Sequence, residues 1–185
     1  LTTAYDISTC VFESAQDFTG EDSRERRSLA FSKDGMTFFI FNQGGSLLPR
    51  NYHSIKQYSL SSPFDLTNIT LVTEYLGPGG QRSLNTQVGS FAQGLQFNPD
   101  GTKMYITESQ GENIGEFTLS SPFDLTGNVT FEGVYSASDE ITDLAAINFN
   151  DDGMKMYLMD WKSGDGRGVH ESVSYTHLRA HETYP

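Results

Sequence analysis

Short apolar segments separated by polar turns run along the whole chain and recur in a fixed order. Alternating apolar strands at residues 29–35, 95–101 and 147–153 each run into an Asp-Gly pair, and a second apolar segment follows at residues 38–40, 104–106 and 156–158. Glycine after aspartate supplies the positive φ that a tight hairpin turn needs. The pattern therefore predicts pairs of antiparallel strands joined by Asp-Gly turns.

A second repeated phrase completes the unit. Leu-Ser-Ser-Pro-Phe-Asp-Leu-Thr occupies residues 60–67 and recurs letter for letter 59 residues later, and a looser copy occupies residues 1–8. Strands predicted at 55–60 and 114–119 lead into the phrase, and strands predicted at 69–75 and 129–135 follow it. With no helical periodicity, each 59-residue repeat predicts one four-stranded antiparallel sheet.

The middle strands carry apolar residues at both parities, so both faces of each sheet are expected to be buried. Radially packed blades of a β-propeller require this, whereas a sandwich leaves its outer faces in water. The pattern Phe-x-x-Asp-Gly-x-x-x-Tyr, followed by Ile-x-x-Tyr-x-Leu-Ser, resembles the blades of bacterial and phage β-propellers, including the WD-repeat-like, TolB-like and lactonase-like groups. The resemblance covers residues 1–171.

The resemblance implies an all-β fold, a β-propeller fragment of about three four-stranded antiparallel blades. The repeat units begin near residues 1, 60 and 119 and are incomplete at both ends of the arc. Propellers commonly close with about four to eight blades, so this chain is expected to form part of a ring. The third repeat loses the pattern at Ser172, where an aromatic residue is expected. Residues 172–185 are therefore predicted to be a non-native or disordered tail.

Composition narrows the classes of function. The net charge of −12 disfavours nucleic acid as a partner, because the phosphate backbone is itself negative. Cys10 is the only cysteine, which leaves no disulfide framework and no cysteine-based metal site. No apolar run approaches the roughly 18 residues of a membrane helix, so no membrane insertion is expected. Motifs for a serine nucleophile, a zinc protease or a phosphate loop are missing, and neither catalytic residues, a cofactor nor a metal ligand is predicted.

The connections divide into a constant set and a variable set. In the resembled blades, the two repeated turns share one face, called the bottom, and the other connections share the top. The top connections, which differ in length and composition, are residues 42–54, 108–113 and 160–168 within blades, and 17–27, 76–93 and 137–145 between blades. A binding surface is expected on this variable face. Its candidate contact residues are Arg26, Arg27, Arg50, Tyr52, His53, Gln93, Trp161, Lys162, Asp165 and Arg167.

The sequence is compatible with three functions. The first is a non-catalytic binding module that recognises a glycan or a protein through the variable face. The second is a lactonase-like hydrolase with a divalent metal in the channel of the full ring, for which Asp139, Glu140 and Asp143 lie near the expected channel mouth. The third is a structural spacer. The resemblance implies an extracytoplasmic location (secreted, cell surface or virion) and, as further partners, the missing blades of the same polypeptide.

Overall fold

The computed structural model describes residues 25–44, 52–80, 83–161 and 168–173, together with residues 8, 15, 16 and 18. Within these residues the chain forms eleven strands and one short helix. In chain order they are β1 Glu25–Phe31, β2 Thr37–Gln43, β3 Ser54–Leu60, β4 Ile69–Tyr75, α1 Ser83–Val88, β5 Ala92–Phe97, β6 Lys103–Glu108, β7 Asn113–Leu119, β8 Val129–Ser136, β9 Leu144–Phe149, β10 Lys155–Asp160 and β11 Val169–Val173.

The strands form three consecutive antiparallel sheets, as the repeat predicts. Strands β1 to β4 form blade 1, β5 to β8 form blade 2, and β9 to β11 form blade 3, each in simple sequence order. The innermost strands β1, β5 and β9 lie next to one another across the three blades. The strand positions and the meander topology predicted from the 59-residue repeat are therefore confirmed.

Both faces of β2 and β3 in blade 1 are buried, as radial packing of the sheets requires. In β2, every residue from Phe38 to Gln43 is buried. Between blades 1 and 2, the rings of Phe39 and Phe97 lie 4.6 Å apart. The equivalent pair between blades 2 and 3, Tyr105 and Phe149, lies 4.7 Å apart. Successive blades thus stack through the same aromatic contact, which contributes to the packing between them.

The two repeated turns meet at the same end of each blade. The amide of Phe64 donates to the carbonyl of Gly35 at 2.8 Å, and that of Phe123 donates to the carbonyl of Gly101 at 2.9 Å. Each phenylalanine ring covers its glycine so closely that a Cβ on Gly101 would lie 2.1 Å from a carbon of Phe123. The phenylalanines have positive φ angles of 60° and 54°. In each of these two blades the Leu-Ser-Ser-Pro-Phe-Asp-Leu-Thr turn therefore packs on the Asp-Gly turn. This contact needs the same phenylalanine and glycine in both repeats.

Helix α1 was not expected from the sequence pattern, which shows no helical period. Its six residues lie in the connection between blades 1 and 2. Leu84 and Val88, four residues apart, are buried in the core between these blades. Val88 lies over Gly115, where a Cβ would be 2.1 Å from Val88 Cγ1. A helix this short is stabilised by such packing and not by its own propensity.

The third sheet extends slightly beyond the predicted boundary at residue 171. Strand β11 pairs with β10 through Val173, with Ser172 opposite Met156. Backbone pairing thus continues for two residues beyond the predicted boundary although the aromatic side chain is lost. That residues 172–185 are a non-native or disordered tail stays a prediction. Residues 174–185 of the predicted tail, and the looser repeat copy near residue 1 apart from Ser8, lie outside the described residues.

Candidate functional site

A β-bulge occurs at the same place in all three innermost strands, close to the top of each blade. The pairing of β1 with β2 skips Arg27, the pairing of β5 with β6 skips Gln93, and the pairing of β9 with β10 skips Ala145. A bulged residue is left out of the ladder and its side chain is re-aimed. The three bulges present one side chain from each blade at the inner edge of the top face.

These bulge residues line one open cleft of about 720 Å³ on the top face. The remaining lining comes from the connections that precede β5 and β9 and from those that follow β6 and β10. The full lining is Arg27, Phe91, Gln93, Ser109, Gln110, Glu112, Thr142, Asp143, Ala145 and Trp161. Three residues predicted as candidate contacts, Arg27, Gln93 and Trp161, are thereby brought together in a single site.

Trp161 is the most exposed large aromatic residue of the cleft, with 65% of its surface accessible. Its indole N–H donates to Asp143 Oδ1 at 2.7 Å, and its backbone amide donates to the Asp143 carbonyl at 3.3 Å. These two bonds fix the edge of the ring while its faces stay accessible. Phe91, 47% exposed, adds a second aromatic surface to the same cleft. The cleft therefore combines an oriented aromatic platform with polar groups.

The polar side chains of the cleft are also held in place. Arg27 donates from Nε to Gln43 Oε1 at 2.7 Å and forms an ion pair with Glu25. Gln93 Nε2 donates to Ser109 Oγ at 3.2 Å. The bonds orient the planar guanidinium and amide groups, and each of these groups has further N–H donors. Oriented donors on rigid strands are what a selective binding site needs.

The sequence reading missed three residues that build this face. Gln43, Glu108 and Asp160 each end the second strand of a blade and are buried. The Glu108 carboxylate accepts from the amides of Phe91, Gln110 and Gly111 at 2.8 to 3.1 Å. Asp160 Oδ2 accepts from the hydroxyl and the amide of Thr142. The sequence signal that would have identified these three residues is a polar residue at the end of the second, apolar strand of every repeat.

His53 supports the top face from within and does not line the cleft. It is fully buried, accepts the Gly44 amide at Nδ1 (3.2 Å) and lies 3.0 Å from the Gly89 carbonyl at Nε2. These partners assign the neutral tautomer with hydrogen on Nε2. Burial lowers the pKa of His53 to about 4, so the ring is uncharged at neutral pH. His53, a candidate contact residue from the sequence, is therefore not accessible on the top face, because its ring ties the β2–β3 connection to the residue following α1.

The other candidate contacts lie apart from the cleft. The Arg26 guanidinium donates to the Phe18 carbonyl at 2.8 Å and lies 5.5 Å from the centre of its ring. Tyr52 is half-buried, with its backbone against Gly44. The remaining candidates, Arg50, Lys162, Asp165 and Arg167, lie outside the described residues.

Two of the three carboxylates considered for a metal accept hydrogen bonds from neighbouring side chains. Glu140 accepts the Tyr135 hydroxyl at 2.9 Å and the Ser172 hydroxyl at 2.7 Å, whereas Asp143 accepts the indole of Trp161. Among the described residues, no group of three or more His, Cys, Asp and Glu side chains could hold a metal ion. In the same part of the chain, no helix is long and apolar enough to cross a membrane.

Comparison with known proteins identifies the fold. No protein-family model and no curated protein matches this chain. A solved structure of a putative 6-phosphogluconolactonase from Bacteroides uniformis superposes with a TM-score of 0.51 and 16% identity, over 84% of this chain and 38% of that chain. The chain folds as an arc of a β-propeller. At this identity the likeness shows the propeller fold alone.

Two further propeller structures are similar at lower scores. A putative 6-phosphogluconolactonase from Bacteroides fragilis gives a TM-score of 0.49 and 12% identity, over 73% of this chain and 32% of that chain. The β-propeller domain of Cps50 (Swd1) from Myceliophteria thermophila gives 0.49 and 8%, over 81% of this chain and 40% of that chain. The propeller arc described here therefore spans two fifths or less of the length of these structures.

Proposed function

We propose that the top-face cleft is the ligand site of a non-catalytic propeller module and that its ligand is a glycan. The observation that carries the proposal is the convergence of the bulge residues Arg27 and Gln93 with the exposed, oriented ring of Trp161. The module is further proposed to work outside the cytoplasm, on a secreted protein, a cell surface or a virion.

The chemistry of the cleft suits a sugar ring. The apolar C–H face of a pyranose packs on a flat aromatic side chain, and Trp161 offers such a surface with its edge already fixed. Sugar hydroxyls both donate and accept hydrogen bonds, which matches the donors of Arg27 and Gln93 and the carboxylate of Glu112. At about 720 Å³ the cleft lies within the range of about 300 to 1,000 Å³ typical of small-molecule sites.

The proposal can be tested directly because Trp161 is the only tryptophan of the chain. The chain is screened on a glycan array, and the glycans that bind are titrated by calorimetry for the parent and every variant, with Trp161 fluorescence followed in the chains that keep this residue. We expect Trp161→Ala and Arg27→Ala to weaken binding about tenfold or more each, as for residues at the centre of an interface. The matched control Val72→Ala, on the outer strand β4 and similarly accessible, should bind as the parent does. Binding that survives both cleft substitutions, or the failure of every glycan to bind, contradicts the proposal.

A second candidate is a lactonase-like hydrolase. It is favoured by the carboxylates of Asp143 and Glu112 beside Arg27 in one cleft. The activity to test is the one in the name of the similar Bacteroides uniformis structure, a putative 6-phosphogluconolactonase. Hydrolysis of 6-phosphogluconolactone is measured with and without divalent metal, for the parent and for Asp143→Asn. Turnover that is lost in Asp143→Asn would replace the binding proposal with this one. An unchanged background rate in all samples eliminates the hydrolase.

A further inference from the structure

The contact between blades 1 and 2 shows how the turn of one blade packs against the preceding blade. The turn of blade 2 places Phe123 beside Phe97, with ring centres 5.4 Å apart, and over Gly101. The amide of Leu125 donates to Gln57 Oε1 of blade 1 at 2.8 Å, and Gln57 Nε2 donates to the Phe123 carbonyl at 3.4 Å. We call the segment that makes these contacts, residues 119–136 comprising the turn and strand β8, the repeat arm. It seals blade 2 against blade 1.

The equivalent position between blades 2 and 3 is an open groove of about 500 Å³. We call it the arm groove, and its lining comes from β6, β7 and β8 on one side and from blade 3 on the other. The residues that line it include Glu116, Gly153, Met154, Met156 and Ser172. Glu116 stands where blade 1 has Gln57, one 59-residue repeat away. The groove is therefore a continuation of an interface that is filled elsewhere in the same arc.

Residues of blade 3 that line the arm groove are more exposed than their counterparts in blade 2, which the repeat arm covers. Gly101 is buried under Phe123, but its counterpart Gly153 is exposed, and a Cβ on Gly153 would meet nothing within 4 Å. Met104 is fully buried, whereas its counterpart Met156 is only half-buried. The neighbouring Met154 is 47% exposed. The apolar surface that blade 2 hides with its own arm is thus accessible on blade 3.

Strand β11 supplies the edge that a further strand needs. Among the described residues it pairs with β10 and has no ladder partner on its other side. In blades 1 and 2 the corresponding third strands carry β4 and β8 at this edge. An unpaired edge presents a row of backbone donors and acceptors that can template another extended segment.

We propose that the arm groove and the edge of β11 together bind a repeat arm, that is, a Leu-Ser-Ser-Pro-Phe-Asp-Leu-Thr turn followed by an extended strand, supplied by a further repeat of the same kind. The phenylalanine ring of the arm covers Gly153, a backbone amide of its turn donates to the Glu116 carboxylate, and its strand pairs antiparallel with β11. This inference is independent of the glycan proposal, because the arm groove shares no residue with the top-face cleft.

The test uses the full chain and a synthetic peptide with the sequence of residues 119–136. Binding is measured by calorimetry, and its position by amide hydrogen exchange. We expect saturable binding, with slower exchange in β11. Gly153→Ala should weaken binding at least tenfold, because a Cβ at the equivalent Gly101 would lie 2.1 Å from the Phe123 ring. The matched control is Gly80→Ala, also at positive φ with open space around it and outside the arm groove, which should leave binding unchanged.

A peptide carrying Phe123→Ala tests the same contact without any change to the chain, and it too should bind at least tenfold more weakly. The proposal is overturned if the parent peptide does not bind, if it binds Gly153→Ala as well as the parent chain, or if it protects strands other than β11. Concentration-dependent dimerisation of the chain alone, with slower exchange in β11, would assign the groove to a second copy and would also refute it.

Discussion

Replacing Gly101 by alanine tests whether the packing of the two repeated turns holds a blade together. Gly101 has a φ of 74°, which alanine adopts at a cost of about 1 kcal/mol. Its Cβ would also lie 2.1 Å from Cδ2 and 2.3 Å from Cε2 of Phe123, far inside van der Waals contact. The ring must move away from Phe97, and forced repacking of this kind costs about 1 to 3 kcal/mol. The expected loss for Gly101→Ala is therefore about 2 to 4 kcal/mol in the free energy of unfolding.

Gly153 provides the comparison within the same chain. It has nearly the same φ, 71°, but no atom within 4 Å of the position of its Cβ. Gly153→Ala should therefore show the backbone cost alone, about 1 kcal/mol. The free energies are obtained from urea denaturation followed by circular dichroism, with the slope of each transition compared to verify that the same structure unfolds.

A double-mutant cycle isolates the steric part. In a Phe123→Ala background the ring is gone, so Gly101→Ala should cost only about 1 kcal/mol and the coupling between the two sites should be about 1 to 3 kcal/mol. A coupling energy near zero, or equal losses for Gly101→Ala and Gly153→Ala, would show that the ring does not cover the glycine as the structure has it, and the reasoning would be refuted.

Three further perturbations follow from buried polar contacts, all measured by urea denaturation. Because the folded pKa of His53, about 4, lies below its unfolded value of 6.5, the unfolded chain binds the extra proton, and stability should fall by up to about 3 kcal/mol as the pH drops from 6.5 to 4. His53→Gln should remove this part of the pH dependence, and an unchanged slope would contradict the buried neutral ring. Glu108→Ala leaves three amides without their acceptor and should cost about 3 kcal/mol, against less than about 1 kcal/mol for Glu25→Ala in an exposed ion pair. Gln57→Leu should cost about 1 to 3 kcal/mol because the Leu125 amide loses its partner across the blade contact, and a neutral result would mean that this bond does not join the blades.

The architecture could be predicted because two local sequence patterns, the Asp-Gly turns and the spacing of apolar residues, both indicate it. The Asp-Gly pairs fix hairpins at Gly35, Gly101 and Gly153, and all three glycines have the positive φ that the pattern requires. Apolar residues at both parities predicted sheets buried on both faces, as β2 and β3 are. These features depend on residues close together in sequence, so periodicity is sufficient to find them.

The site could be predicted only in part, because its geometry depends on pairing across strands. The variation of the top connections between repeats placed Arg27, Gln93 and Trp161 on the variable face, and they do line the cleft. The β-bulges that re-aim Arg27 and Gln93 are properties of register between two strands, which no single segment reveals. His53 was misplaced for a similar reason: a polar residue beside Tyr52 in a long loop reads as exposed until its partners in distant segments are known.

The recurring bulge separates the residues that maintain strand pairing from the residues that line the top-face cleft. Since a bulged residue stands outside the ladder, its identity can change without breaking strand pairing, and arginine, glutamine and alanine occupy the three equivalent positions. Each blade therefore contributes one side chain that can vary to the top-face cleft, and in this arc the three are arginine, glutamine and alanine. Under the proposed function, single substitutions at residues 27, 93 and 145 would therefore be enough to change which ligand the cleft accepts, with the loops and the core left as they are.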